Sequence, residues 1–210
     1  EPKHQKIPEQ KTNNNFGPKE KSIHLFNMLY STSVSDISEL EQILLLQQAN
    51  LKSSVSEEEK KEQGFVTMLF TLEMLKAIHN FAPSIIIKEG NKVVAYAIVF
   101  LKEGRAAYPA MEPLLENLGN ISWNGRPINT YQFYIMGQIC IAKPFRGKGL
   151  FEMLYQKHKE IYQSSYDYIV TEISENNYRS LRAHERIGFK TISTHRDSID
   201  TWKVVAWDWR

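Results

Sequence analysis

The sequence predicts a mixed sheet covered by helices, of the α/β or α+β class. Three observations carry this. Apolar strand-like runs stand both before and after segments of helical periodicity, without a strict alternation of the two. The turn Glu89-Gly90-Asn91 joins two of these runs into a hairpin. The chain ends on two further runs, Phe189 to His195 and Thr201 to Trp209, that read as an antiparallel pair.

Residues 1–21 are Lys, Glu, Gln, Asn and Pro with almost nothing apolar. Burial there cannot offset the entropy of ordering, so they read as a flexible N-terminal arm, and residues 22–210 as one domain. Ile23 to Tyr30 suits a first strand. Ser35 or Asp36 caps a helix to about Asn50, with Ile37, Leu40, Ile43, Leu44 and Leu46 on its apolar face. Residues 52–63 are highly charged and read as exposed. An apolar patch follows Gly64-Phe65, then a helix from about Thr71 to Asn80; Phe65 and Phe70 either line a pocket or pack. Ser84 to Lys88 and Lys92 to Leu101 are the hairpin strands.

Residues 102–129 differ from the rest: rich in Gly and Pro, with a short helix around Glu112 to Leu118, and with Trp123 as their most conspicuous apolar residue. The stretch is long for a connection in a compact domain and points to a lid or pocket wall. Thr130 to Ala142 is a long strand in which Gly137 marks a bulge or a close backbone approach. A helix from about Lys148 to Gln163 follows, then a strand from Tyr166 to Ile173. Asn176 or Asn177 caps a last helix, which Gly188 ends after Ile187.

Composition narrows the function classes. Hydrophobic residues are 42% of the 210, enough for a sizeable core, and the formal net charge is only +2. That balance argues against nucleic acid as a partner. The single cysteine, Cys140, excludes an intramolecular disulfide and fits a reducing compartment, so a cytoplasmic location is expected. No apolar run approaches the roughly 20 residues of a membrane span, and no signal-peptide pattern opens the chain, so no membrane association is expected. The histidines show no metal-ligand spacing with one another or with Cys140, and no metal is expected.

The chemistry concentrates in Gln138 to Phe151, QICIAKPFRGKGLF. It reads as a strand, a tight turn with Arg146, Gly147, Lys148 and Gly149, and a helix start. Glycine lets backbone N–H groups approach a ligand, and a helix start leaves unpaired N–H groups at the positive end of a dipole. With two cations in the same turn this reads as an anion site suited to phosphate. It is not a Walker loop, because Gly147-Lys148 is followed by Gly149 and no glycine stands five before Gly147. It is not a dinucleotide fingerprint either, since Glu152 stands where the third glycine belongs.

Strand, Arg-Gly-Lys-Gly turn, helix, strand, Asn-bearing loop, helix and Gly-Phe together resemble the GNAT superfamily of acyl-CoA N-acyltransferases, over roughly residues 23–209. Arg146 and Gly149 match the family's phosphate motif; Phe151 departs from its usual small residue. The block Asn177 to Phe189, NYRSLRAHERIGF, matches the family's Asn, helix and terminal Gly-Phe. The resemblance implies a mostly antiparallel central sheet with splayed parallel strands flanked by helices. It implies acetyl-CoA as co-substrate, with main-chain bonds from Ile139, Cys140 and Ile141 to the pantetheine. The N–H groups of Arg146, Gly147, Lys148, Gly149, Leu150 and Phe151 would hold the pyrophosphate, beside Asn177. An N–H near Ile141 would polarise the thioester carbonyl.

The resemblance also places two residues for proton work. Glu172 is a candidate base, or an ion-pair partner of Arg179 or Arg182. His184 stands where many members carry a Tyr that protonates the thiolate; it either donates a proton or bonds to CoA or a helix carbonyl. Cys140, flanked by Ile139 and Ile141, reads as a buried small hydrophobe rather than an acyl-carrying nucleophile. The expected activity is acetyl transfer from acetyl-CoA to a primary amine of a small molecule or peptide by direct attack. The alternative is a CoA-binding sensor or interaction module without chemistry. Phe65, Trp123 and some of the strand aromatics Tyr131, Phe133, Tyr134, Trp202, Trp207 and Trp209 are candidates for the acceptor pocket; a homodimer is left open.

Overall fold

Runs of β-branched and aromatic residues build a seven-stranded sheet, and amphipathic helices cover both of its faces. The structure, a computed structural model, describes residues 28–210. The expected N-terminal arm and most of the strand expected at Ile23 to Tyr30 lie outside them. In chain order the elements are β1 (Leu29–Ser33), α1 (Ile37–Gln48), α2 (Glu57–Gln63), α3 (Leu72–His79), β2 (Ile85–Glu89) and β3 (Lys92–Phe100). There follow α4 (Glu112–Gly119), the two-residue strands β4 (Ser122–Trp123) and β5 (Arg126–Pro127), β6 (Phe133–Ile141) and α5 (Leu150–Tyr162). The chain closes with β7 (Tyr168–Ser174), α6 (Tyr178–Ile187), β8 (Lys190–Arg196) and β9 (Thr201–Asp208).

The strand order is β1-β2-β3-β6-β7-β9-β8. Every neighbouring pair is antiparallel except β6 and β7, which run parallel. The mixed, mostly antiparallel sheet expected from the sequence is therefore present. On β3, Tyr96, Ile98 and Phe100 pack to one face, against Leu40 and Ile43 of α1, Leu75 and Ile78 of α3 and Leu114 of α4. Val94, Ala95, Ala97 and Val99 join the core of the other face, with Leu150, Leu154 and Tyr155 of α5 and Phe189 beyond α6. A strand buried on both faces reads as a continuous apolar run, which is how β3 looks in the sequence.

Several local expectations change. Asp36, not Ser35, caps α1, and Glu39 completes a capping box. Ile37 is exposed although it fits the apolar periodicity, and Gln47 is buried in its place. The charged stretch 52–63 contains α2, capped by Ser56, with Glu57, Glu58 and Glu59 in its first turn. The favourable dipole at the N-terminus rewards those acids, a signal that apolar periodicity does not detect. Asn177, not Asn176, caps α6.

One ion pair ties α1 to the sheet. Glu39 is almost fully buried; its Oε1 accepts from Lys88 Nζ at 2.6 Å and its Oε2 from the Ser35 N–H at 2.8 Å. Burial pushes the carboxyl up, but the Lys88 hydrogen bond and charge and the backbone bonds outweigh it and hold Glu39 below its ordinary 4.5. A carboxylate with a lowered folded pKa stabilises the fold fully above its unfolded pKa. That stability is lost as pH falls through the folded value. Lys88→Met should strand this carboxylate and lower stability by on the order of 2 kcal/mol at pH 7. Urea denaturation should show the difference between variant and parent shrinking as the pH is taken below 4.5.

Candidate active site

β6 and β7 stay paired for only three positions, Phe133↔Tyr168, Tyr134↔Ile169 and Ile135↔Val170. Past Ile135 and Val170 they part, and an irregularity accompanies the parting. Ala97 of β3 faces Ile139 and Val99 faces Met136, so β6 carries one extra residue there. The bulge falls on the Gly137-Gln138 segment that the sequence marked. Ala142 donates its N–H to the Val94 carbonyl on β3 at 2.8 Å. Successive N–H groups of a strand point to opposite edges, so those of Ile139 and Ile141 point to the edge that β7 has left.

The turn after β6 follows from two glycines. Gly147 and Gly149 have φ of +74° and +79°, a left-handed region that other residues enter at a cost of about 1–2 kcal/mol. Gly149 caps α5 and offers no side chain to the helix N-terminus. The first N–H groups of α5, from Leu150 to Glu152, thus have no acceptor within the helix or at its cap. Lys148 is exposed beside them, while Leu150 is buried in the core.

Arg146 behaves differently from the simple expectation of a cation facing an anion. Its Nε donates to the Ile141 carbonyl at 3.1 Å, its Nη2 to Asn50 Oδ1, and its Nη1 stands 3.7 Å from Glu59. The guanidinium ties the end of β6 to the end of α1 and to α2. Phe151 turns its ring onto Tyr155 and His184, with centroids 5.1 and 5.0 Å away. Its bulk joins the packing between α5 and α6, and the residue also lines the first cavity.

Over the parted strands lies a strap, residues 64–70, the segment in which the sequence offered Phe65 and Phe70 as pocket-lining or packing residues. Three buried amide side chains hold it. Gln47 Nε2 donates to the Phe70 carbonyl at 3.1 Å and Gln47 Oε1 accepts the Phe70 N–H at 3.0 Å. Gln138 Nε2 donates to the Met68 carbonyl at 2.7 Å, and its Oε1 accepts from the Tyr96 hydroxyl at 2.6 Å. Asn177 Nδ2 donates to the Phe65 carbonyl at 3.1 Å while its Oδ1 caps Ser180 N at 3.2 Å. A Cβ on Gly64 would stand 2.8 Å from Asn177 Oδ1, so glycine is needed for this approach. Phe70 is buried and stacks on Tyr108, with centroids 4.6 Å apart.

Two cavities meet beneath the strap. The first, about 330 Å³, runs along Ile139 to Ile141, past Arg146, Gly147 and Gly149, to Arg179 and Arg186 on α6. The second, about 650 Å³, lies on the other side of the parting, against Gln138, Glu172 and the wall at Tyr108, Met111 and Leu114. Phe65, Ile139, Asn177 and Ser180 line both. The stretch expected to be a lid or pocket wall does supply a wall, and Phe65 and Trp202 line the second cavity. Trp123 lines neither; it packs against the core, and its carbonyl accepts from Tyr131 Oη at 3.2 Å.

The titratable groups divide sharply. Glu172 pairs with neither Arg179 nor Arg182: His195 on β8 donates from Nε2 to Glu172 Oε2 at 2.7 Å. Burial raises the Glu172 carboxyl above its ordinary 4.5, and the His195 bond works against that. His195 drew attention in the sequence only as a strand residue; its partner becomes visible once β8, β9 and β7 are in register. His184 is fully buried; its Nδ1–H donates to the Ser180 carbonyl at 2.8 Å and its Nε2 accepts from Tyr155 Oη at 2.6 Å. Burial lowers its pKa to about 4, so the ring is neutral at pH 7 with its one N–H engaged. Cys140 is buried beside Tyr96, and burial pushes its thiol up to about 12, which deprives it of thiolate reactivity.

Comparison with known proteins gives the same direction. The chain matches the acetyltransferase (GNAT) family over residues 45–189. No curated protein matches it. Among solved structures it is similar to the ribosomal-protein-S18-alanine N-acetyltransferase of Escherichia coli, at 11% identity and a TM-score of 0.56 over 86% of this chain and 94% of that one. A GNAT acetyltransferase of Streptococcus agalactiae gives 17% and 0.56 over 87% and 96%. An Arabidopsis thaliana protein solved with the bisubstrate analogue CoA-Ac-MVNAL gives 12% and 0.56 over 86% and 99%. At such identities the likeness is one of fold. Among the described residues no helix is long and apolar enough to cross a membrane.

The strap predicts its own sensitivity. Gln138→Leu removes the partners of the Met68 carbonyl and the Tyr96 hydroxyl together. Unfolding free energy should fall by on the order of 2 kcal/mol. Hydrogen exchange at residues 64–70 should accelerate more than in the core strands.

Proposed function

The chain belongs to the acetyltransferase (GNAT) family, and on that premise we propose that it transfers an acetyl group from acetyl-CoA to a primary amine by direct attack in a ternary complex. The observation that carries this is the junction of two cavities at the parted strands, one edged by free backbone donors and the other by a half-buried carboxylate. The chain's residues fit the co-substrate. The unpaired edge at Ile139 and Ile141 suits the pantetheine amides. The N–H groups from Gly147 to Phe151 suit the pyrophosphate, with Lys148, Arg179 and Arg186 adding positive charge. When bound, acetyl-CoA supplies the thioester whose carbonyl carbon is attacked.

Each remaining task falls to a named residue. Glu172, facing the second cavity, accepts the proton that the amine loses as its C–N bond forms and the C–S bond breaks. His195 orients the Glu172 carboxylate, and its hydrogen bond opposes the rise that burial imposes on the carboxyl. An N–H at Ile139 or Ile141 stabilises the developing oxyanion. His184 we read as a positioning residue. Its neutral ring holds the first turns of α6 at Ser180, where both cavities meet, and its single N–H is already spent. The departing thiolate then takes its proton from a group other than this imidazole, or from water.

Acetyl-CoA should raise the melting temperature of the parent chain, and Gly149→Trp, which forces a side chain onto a left-handed position at the helix start, should remove that shift. Thiol release over an amine panel separates the enzyme from a CoA-binding module: binding without turnover favours the module. Glu172→Gln should lower kcat by about 10²–10⁴-fold at unchanged acetyl-CoA binding. A base must be unprotonated, so kcat/KM should fall as pH drops through the raised Glu172 value. His195→Phe keeps the ring but removes the bond that lowers that value, and the acidic limb should move to higher pH. A limb that stays in place would separate His195 from the chemistry.

A further inference from the structure

The second cavity has a chemical character of its own. Its wall is Tyr108, Met111 and Leu114 on one side and Phe65 and Met68 of the strap on the other, with Trp202 beyond. No Lys or Arg is among the described residues that line it, while Glu172 and Asp197 are. Asp197 is committed to a turn: its Oδ1 accepts the N–H groups of Ile199 and Asp200 at 2.7 and 2.8 Å. Glu172, bonded to His195, is left as the carboxylate that an incoming cation meets. At the mouth, Leu69 and Ile199 are 56% and 73% exposed, an apolar rim with no partner among the described residues.

We propose that the acceptor is a primary monoamine with a bulky apolar body and no acidic group, its ammonium at Glu172 and its body between the wall at residues 108–114 and the strap. This rests on the acetyl-transfer reading and narrows it. Charge complementarity decides among acceptors. A carboxylate on the acceptor, as in a free amino acid, would enter a cavity whose lining offers acids and no cation. A polyamine brings further cations, for which the lining offers beside Glu172 only Asp197, whose Oδ1 already accepts two N–H groups. A polyhydroxylated amine would set hydroxyls against Phe65, Met68, Met111 and Leu114, which offer them no side-chain hydrogen-bond partner. The volume, about 650 Å³, is in the range that takes a whole small ligand rather than one side chain.

The test is thiol release by the purified full chain at saturating acetyl-CoA, with 2-phenylethylamine, hexylamine, L-phenylalanine, spermidine and a hexapeptide beginning with Phe as acceptors. The two apolar monoamines should show kcat/KM about 100-fold above L-phenylalanine and spermidine, a ratio expected where the rejected group is left unpaired. Spermidine, L-phenylalanine or the peptide matching or exceeding them would overturn the proposal while leaving acetyl transfer standing. An absent thermal shift with acetyl-CoA, or no turnover of any amine, would overturn both. Leu69→Lys, an exposed change that the fold tolerates, should raise KM for hexylamine about tenfold at unchanged acetyl-CoA KM. An unchanged hexylamine KM would overturn the placement of the apolar body at this mouth.

Discussion

The divergence of β6 from β7 is the constraint on which the rest depends. A parallel pair that stops after Ile135 and Val170 leaves two strand edges with unsatisfied backbone groups inside a folded domain. Such groups are costly unless something bonds to them. The fold answers in two ways. On the β6 side it leaves the donors at Ile139 and Ile141 facing a cavity that a ligand with amide groups can fill. Elsewhere it lays residues 64–70 across the opening and bonds their carbonyls with amide side chains. The opening is therefore both a local weakness of the sheet and the place where a ligand's backbone-like groups are best received.

The three amides Gln47, Gln138 and Asn177 explain how an irregular segment can be held in place. Each is buried and each makes two bonds, one or both to the strap. A half-satisfied buried amide would destabilise the site, while a fully satisfied one fixes a unique geometry. The Arg146 guanidinium joins the end of β6 to the end of α1 through Nε and Nη2, with Nη1 3.7 Å from Glu59 on α2. The residue that the sequence offered as an anion ligand is thus also the one that shapes the turn. The backbone donors at the start of α5, which Gly149 leaves open, remain without an acceptor in the helix or at its cap.

The electrostatics of the second cavity follow from unequal burial. Partial desolvation raises the proton affinity of Glu172, the His195 bond opposes that rise, and the group still faces the cavity. His184 is enclosed on all sides by Tyr155, Phe151 and Phe189 and stays neutral. Both residues border the second cavity, but they differ in exposure: Glu172 keeps part of its carboxylate open to it, while His184 is enclosed among aromatic rings with both ring nitrogens bonded.

By itself the sequence determined the elements whose signals are local. The mixed class, the hairpin at Glu89-Gly90-Asn91, the Gly-rich turn before α5 and the Asn-capped helix ended by Gly188 all rest on turn and cap chemistry within a few residues. So did the membership implied by Arg146, Gly149 and the Asn177 to Phe189 block. What only the tertiary structure decided are the pairings between distant segments: His195 with Glu172, Gln138 with Met68, Asn177 with Phe65, and the wall at Tyr108 to Leu114 across from the strap. Helix α2 also escaped, because its stability comes from a serine cap and charges on the dipole rather than from an apolar stripe. Strand register, the bulge at Gly137-Gln138 and side-chain burial set these contacts, and they arise only when β6 and β7 part in three dimensions. A one-dimensional pattern carries the period of each strand but not the point at which two strands cease to pair.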